Sequence, residues 1–138
     1  MMKSRNSLIR LKRFQVDEKR RQVTQIEMMI AEFERMATEL DDQIQAEQKR
    51  VGITDVTHFA YPTFAKAAMQ RRDNLLVSAG DLRVQLDAAR AALSEAVEDM
   101  KKVELIEERD QLRDRAAGDA LDQDHMDEVA SRLSFRTG

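Results

Sequence analysis

Gly52-Ile53-Thr54-Asp55-Val56-Thr57-His58-Phe59-Ala60-Tyr61-Pro62 holds the only proline of the chain and one of its four glycines, between two long stretches of helical pattern. Glycine can leave a helix in a left-handed turn, and proline suits the first turn of a new one. The stretch therefore reads as a turn joining two arms. With its flank it carries Phe59, Tyr61 and Phe64, half of all the aromatic residues in the protein.

Upstream, residues 5 to 51 contain neither proline nor glycine, which allows one helix of roughly 70 Å at the α-helical rise per residue. Apolar residues step by three and four through Val23, Ile26, Ile30, Phe33, Ala37, Leu40 and Ile44. That is a heptad seam, with Val23 at a and Ile26 at d. Ile9 and Val16 keep the a phase, but the matching d positions are Lys12 and Lys19, so the seam weakens there. Leu8, Leu11 and Phe14 lie off the seam and read either as a stutter in the coil or as a second, partner-facing surface. Met29 and Met36, at g, are expected to widen the core stripe.

Downstream the steps resume through Ala68, Leu75, Ala79, Leu82, Leu86, Ala89, Leu93, Ala96, Met100 and Val103. Gly80 falls outside this seam and costs about 1 kcal/mol relative to alanine without ending the helix. Alanines at seam positions let two helices approach closely. Two seams joined by a short connection fold back antiparallel. The expected fold class is all-α, two long helices forming an antiparallel coiled-coil hairpin: arm one over about 5–51, the turn at 52–62, arm two over about 63–117. An acidic tail, 118–138, is expected to fray or overhang, with a mobile end.

With the turn near residue 57, facing residues should have numbers summing to about 114. This brings Ile44 near Gln70, Ile30 near Val84 and Val16 near Glu98, and lays the basic first turns along Glu98, Asp99 and Glu104. Glu47 and Arg72 fall inside the two seams near the tip. They are expected to form an ion pair that fixes the register at some cost in stability.

Composition agrees: 36% of residues are charged and 4% aromatic, a mix typical of long helices rather than of a wide core. The absence of cysteine excludes disulfides and thiolate metal sites. No apolar run reaches signal-peptide or membrane-span length, so a soluble cytosolic protein is expected. The net charge of −3 is unevenly placed. Lys3, Arg5, Arg10, Lys12, Arg13, Lys19, Arg20 and Arg21 face only Asp17 and Glu18 in the first turns, whereas acids dominate from Glu104 onward. Pairing between the arms accounts for basic residues at a helix N-terminus, where the macrodipole disfavours them.

Catalytic chemistry has little to stand on. His58 and His125 are the only histidines, far apart in sequence, and a two-helix hairpin offers no deep pocket. No catalytic, cofactor-binding or metal-ligating residues are assigned, and a non-enzymatic protein is expected. Net negative charge without an aromatic-interleaved basic groove argues against nucleic acid. An apolar face committed to the hairpin, in a chain without tryptophan, argues against direct membrane binding.

Ser7-Leu8-Ile9-Arg10-Leu11-Lys12-Arg13-Phe14, the hairpin organisation and Lys101-Lys102-Val103-Glu104-Leu105-Ile106-Glu107-Glu108-Arg109 together resemble the FliJ family of flagellar export proteins, over nearly the full chain. The resemblance implies a cytoplasmic coiled-coil component of the flagellar type III protein export apparatus, at the base of the flagellum and serving motility and chemotaxis. Such proteins look like a stalk that inserts its terminal end into the ring of the export ATPase and touches the cytosolic domain of the export gate. Export chaperones are further implied partners, and the membrane is reached through partners only. On this likeness Arg10, Arg13, Glu104, Glu107 and Arg109 would meet the ATPase. Phe59, Tyr61 and Phe64 would either anchor the gate or pack on each other and close the turn. A general helical-hairpin chaperone or adaptor for client proteins is the alternative. A monomeric hairpin and a swapped dimer both satisfy the seams.

Overall fold

In the computed structural model, which describes the backbone of residues 2–137 and the side chains of residues 4–134, two helices account for almost everything. Helix α1 spans Met2–Val51 and α2 spans Thr63–Thr137. They pack against each other as an all-α hairpin, with no strand among the described residues. The Lys3 side chain and those of residues 135–138 lie outside the described set.

The chain divides into two units, residues 15–96 and residues 1–14 with 97–138. In the first, the a and d positions of α1 are the ones that lose solvent: Val23, Ile30, Ala37, Leu40 and Ile44 are buried. Val23 and Ile30 meet Leu82 and Leu86, with Ile26, Phe33, Ala89 and Leu93 packed around them. Nearer the connection, Leu40 and Ile44 meet Ala68, flanked by Met69 and Leu75. Ala37, Ala65, Ala68 and Ala79 are almost fully enclosed, as expected where small side chains bring two backbones together. Met29 departs from expectation. It is 47% exposed, whereas Met36, the other g residue, is half-buried as expected.

Register in this unit is carried by Arg72, whose Nη1 donates to Asp41 Oδ1 at 2.6 Å, and by an Arg83–Glu34 ion pair. Both pairs have residue numbers summing to within three of the expected value. The expected Glu47–Arg72 pair does not form. Glu47 is instead bound by Arg50, three residues on along α1, while Arg72 also donates to Asp73. At the helical rise per residue Glu47 lies roughly 9 Å further along α1 than Asp41, out of reach from Arg72.

In the unit formed by residues 1–14 and 97–138 the seam changes character. Continuing the three-four steps past Met100 and Val103 leads to Glu107, Asp110 and Asp114 on α2, and the d phase of α1 reaches Arg5. Arg5 Nη1 lies 3.0 Å from Asp110, its Nε 3.5 Å from Glu107 and its Nη2 4.0 Å from Asp114. Arg13 Nε stands 3.6 Å from Glu104. The expectation of basic first turns along acids of the second arm holds at Glu104, while Arg5 finds partners further along α2.

Beyond residue 117 the described chain is helical. Helix α2 runs through Gly118 to Thr137, because one glycine costs only about 1 kcal/mol and no proline follows it. Ala116, Ala117, Ala120 and Leu121 favour the helix locally. Contacts at i, i+4 between Gln123 and Asp127 and between Arg132 and Glu128 support it.

Candidate functional site

The connection begins where α1 is capped. Gly52, at φ 77°, donates its N–H to the Gln48 carbonyl at 2.8 Å, a left-handed cap that only glycine adopts without strain. Asp55 then organises the turn. Its Oδ1 accepts from the Thr57 backbone N–H at 3.0 Å and from the Thr57 hydroxyl at 2.7 Å. The hydroxyl bond first, then the backbone bond, hold the Asp55 carboxyl below the usual aspartate range. Its carbonyl accepts from His58, and the His58 carbonyl in turn from Tyr61, which closes two successive tight turns. Pro62 sits one position before the helix rather than inside its first turn. Its carbonyl accepts the first helical bond, from Lys66 at 3.1 Å.

The three aromatics separate by role. Tyr61 is 5% exposed. Its hydroxyl accepts from Gln48 Nε2 at 2.8 Å and lies 3.5 Å from the Met69 sulfur, so it ties the connection to both helices. This is the turn-closing alternative. Phe59 is 97% exposed and stacks on the His58 ring, at 4.7 Å between centroids. The Ala60 N–H donates to His58 Nδ1 at 3.0 Å, which fixes the imidazole and through it the phenyl ring. Phe64, in the first turn of α2, is 57% exposed. Two rings are thus presented to solvent and the third is spent on closure.

In the unit that contains the terminal segments, the five charged residues assigned to partner binding also divide. Arg10 and Arg109 are exposed, and Arg13 and Glu104 face each other. Glu107 is buried at 7% exposure, so it serves the hairpin and is not displayed. Its Oε1 accepts from Gln111 at 3.3 Å, whereas Oε2 has no hydrogen bond and relies on the charge of Arg5. Beside it lies a hollow of about 70 Å³ lined by Arg5, Leu8, Val103 and Ile106. Arg5 belongs to the basic first turns, but its partners Asp110 and Asp114 are not among the acids expected to face them. Extending the seam by three and four past Val103 would have found the acids, since all three next positions are acidic.

Leu8, Leu11 and Phe14 are 42%, 49% and 59% exposed, so these off-seam residues form an open apolar surface in this unit. No helix among the described residues is long and apolar enough to cross a membrane. No family model, curated protein or solved structure matches this chain.

Proposed function

We propose that this protein is a non-enzymatic coiled-coil stalk of the flagellar type III export apparatus, working in the cytoplasm between the export ATPase ring and the cytosolic domain of the export gate. The observation that carries the reading is the hairpin itself, a fold in which the segments that resemble the FliJ family, Ser7–Phe14 and Lys101–Arg109, are held in one unit by Arg5, Arg13 and their acidic partners. The exposed Arg10 and Arg109 are offered to the ATPase from that unit. Phe59 and Phe64 are offered to the gate from the connection, since aromatic side chains make strong interface anchors.

The mechanism on this reading is allosteric. A coiled coil inserted in a ring of like subunits contacts some subunits better than others. A ligand shifts an equilibrium only through such differential affinity, so the stalk favours one arrangement of the ring. Export chaperones act as additional partners.

The test is secretion of hook and filament proteins, with swimming, in a strain lacking the gene and carrying either the wild type or a Phe59→Ala, Phe64→Ala copy. Loss on deletion with rescue by the wild type alone supports the stalk and its tip. Normal secretion throughout rejects it and leaves the general chaperone or adaptor, which the same exposed rings at the connection favour. A broad client range in pull-downs would then identify that second reading.

A further inference from the structure

The two edges along which α1 and α2 meet differ in the unit formed by residues 1–14 and 97–138. On one edge an ion pair spans the helices, with Arg13 Nε 3.6 Å from Glu104. Ile106 lies two residues after Glu104, about 200° further round α2, and so belongs to the other edge. There it comes together with Leu8 over the hollow of about 70 Å³, with Val103 on the wall. Leu8 and Ile106 are 42% and 57% exposed, so the hollow has an aliphatic rim open to solvent. The α1 side of that rim is uncharged, with Ser4 four residues before Leu8 and the exposed Leu11 three after it.

The α2 side is basic. Lys102 stands four residues before Ile106, Arg109 three after it and Arg113 seven after it, the spacings that share one helix face. All three are exposed, and none has an acidic partner among the described residues. No acid interrupts this face between Lys102 and Ala116. Glu107, Asp110 and Asp114 lie in the seam with Arg5, and the same spacing puts Glu104 and Glu108 on other sides of the helix. Glu98 and Asp99 bound the basic row at one end and Asp119 at the other. Unpaired cations on one wall select an anionic occupant. The enclosed Glu107 Oε2, which has no hydrogen bond, repels a second anion inside the hollow. The occupant's anions therefore stay on the α2 rim, and the group that enters is apolar. A phosphate chain has no such group to insert, and a flat lipid surface does not enter a cleft between two helices. A helix with an apolar stripe and acidic flanks meets both demands.

We propose that this groove, rimmed by Leu8 and Ile106, is the docking site for an acidic amphipathic helix of a partner protein. An aliphatic side chain of that helix enters the hollow, and its carboxylates meet Lys102, Arg109 and Arg113. The site stands independently of the stalk reading, because it is defined by the chemistry of the helix it takes.

The test is fluorescence anisotropy of a labelled synthetic helix of leucine, alanine and glutamate, its leucines three and four residues apart, titrated with the full chain at low and high salt. The wild type is expected to bind it at micromolar concentrations, more weakly in salt. A twin peptide with serine in place of every leucine should bind about tenfold more weakly or worse, since it has nothing to insert. Two variants of the chain, with helicity checked by circular dichroism, should each lose about tenfold or more in affinity for the leucine peptide. One carries Lys102→Glu, Arg109→Glu and Arg113→Glu, the other Leu8→Ser and Ile106→Ser. Arg115→Glu, nine residues after Ile106 and so on the opposite side of α2, should stay within about twofold of the wild type. A leucine peptide that does not bind, a serine twin that binds as well, or variants that bind as the wild type does would each overturn the proposal. Phosphatidylserine vesicles that co-sediment with the wild type but not with the charge variant, while the peptide stays free, would overturn it in favour of a lipid surface. A dimer in sedimentation velocity that the charge variant abolishes would overturn it in favour of a second copy.

Discussion

Asp55 shows how one side chain sets the connection. Hydrogen bonds from Thr57 hold its carboxyl below the ordinary aspartate range. A group with a depressed folded pKa stabilises above the ordinary value and loses that contribution as the pH falls through the depressed one. The Asp55–Thr57 contacts therefore contribute at neutral pH and lose that contribution in acid. Thr57→Val removes the hydroxyl donor and keeps the backbone one, so Asp55 should titrate nearer the ordinary range, as followed by carbon NMR of the carboxyl. An unmoved titration would assign the shift to the backbone alone. Glu107 makes a second case, because removing either member of its pair with Arg5 has unequal consequences. Arg5→Leu strands a buried carboxylate and should cost about 1–3 kcal/mol. Glu107→Leu fills the apolar hollow and leaves Arg5 with Asp110 and Asp114, so stability should stay within about 1 kcal/mol of the wild type. Urea unfolding of the two variants decides, and equal losses would contradict this account.

At the level of the helices, the glycines divide by conformation. A methyl group at Gly80 or Gly118 meets nothing within 4 Å, so alanine there should stabilise by about 1 kcal/mol through helix propensity. At Gly52 the space is equally open, but φ is +77°, and alanine should cost about 1–2 kcal/mol. Thermal melts of the three single variants should therefore move in opposite directions. The register belongs to the same scale. A double-mutant cycle between Arg72 and Asp41 should return a coupling of about 0.5 kcal/mol, as half-exposed ion pairs do, and the cycle between Arg72 and Glu47 none. A larger coupling to Glu47 would restore the pairing read from the seam alone.

For the molecule as a whole, the stalk reading makes a kinetic expectation. Titrating the chain into the export ATPase should change its assembly or turnover, and Arg10→Ala with Arg109→Ala should weaken that response while leaving helicity and melting unchanged. A flat ATPase rate across the titration would count against the stalk. Substituting Glu107 in such an experiment would be uninformative, because it is enclosed within the hairpin and its loss acts through folding.

The sequence by itself determined the two helices, their antiparallel pairing, the place of the connection and the approximate register. All of these follow from periodicity and from the rarity of proline and glycine, which act locally and repeat along the chain. The helix continuing after Gly118 was not legible, because the sequence there is acidic and only weakly periodic. Only the tertiary structure decided that Arg72 meets Asp41, that Glu107 is enclosed with Arg5, and that Tyr61 closes the turn while Phe59 and Phe64 stay in solvent. The physical reason is reach. Heptad spacing tells which face a residue occupies, but choosing among several acids on one face, or between a ring turned inward and one turned out, depends on distances of a few ångströms that packing alone supplies.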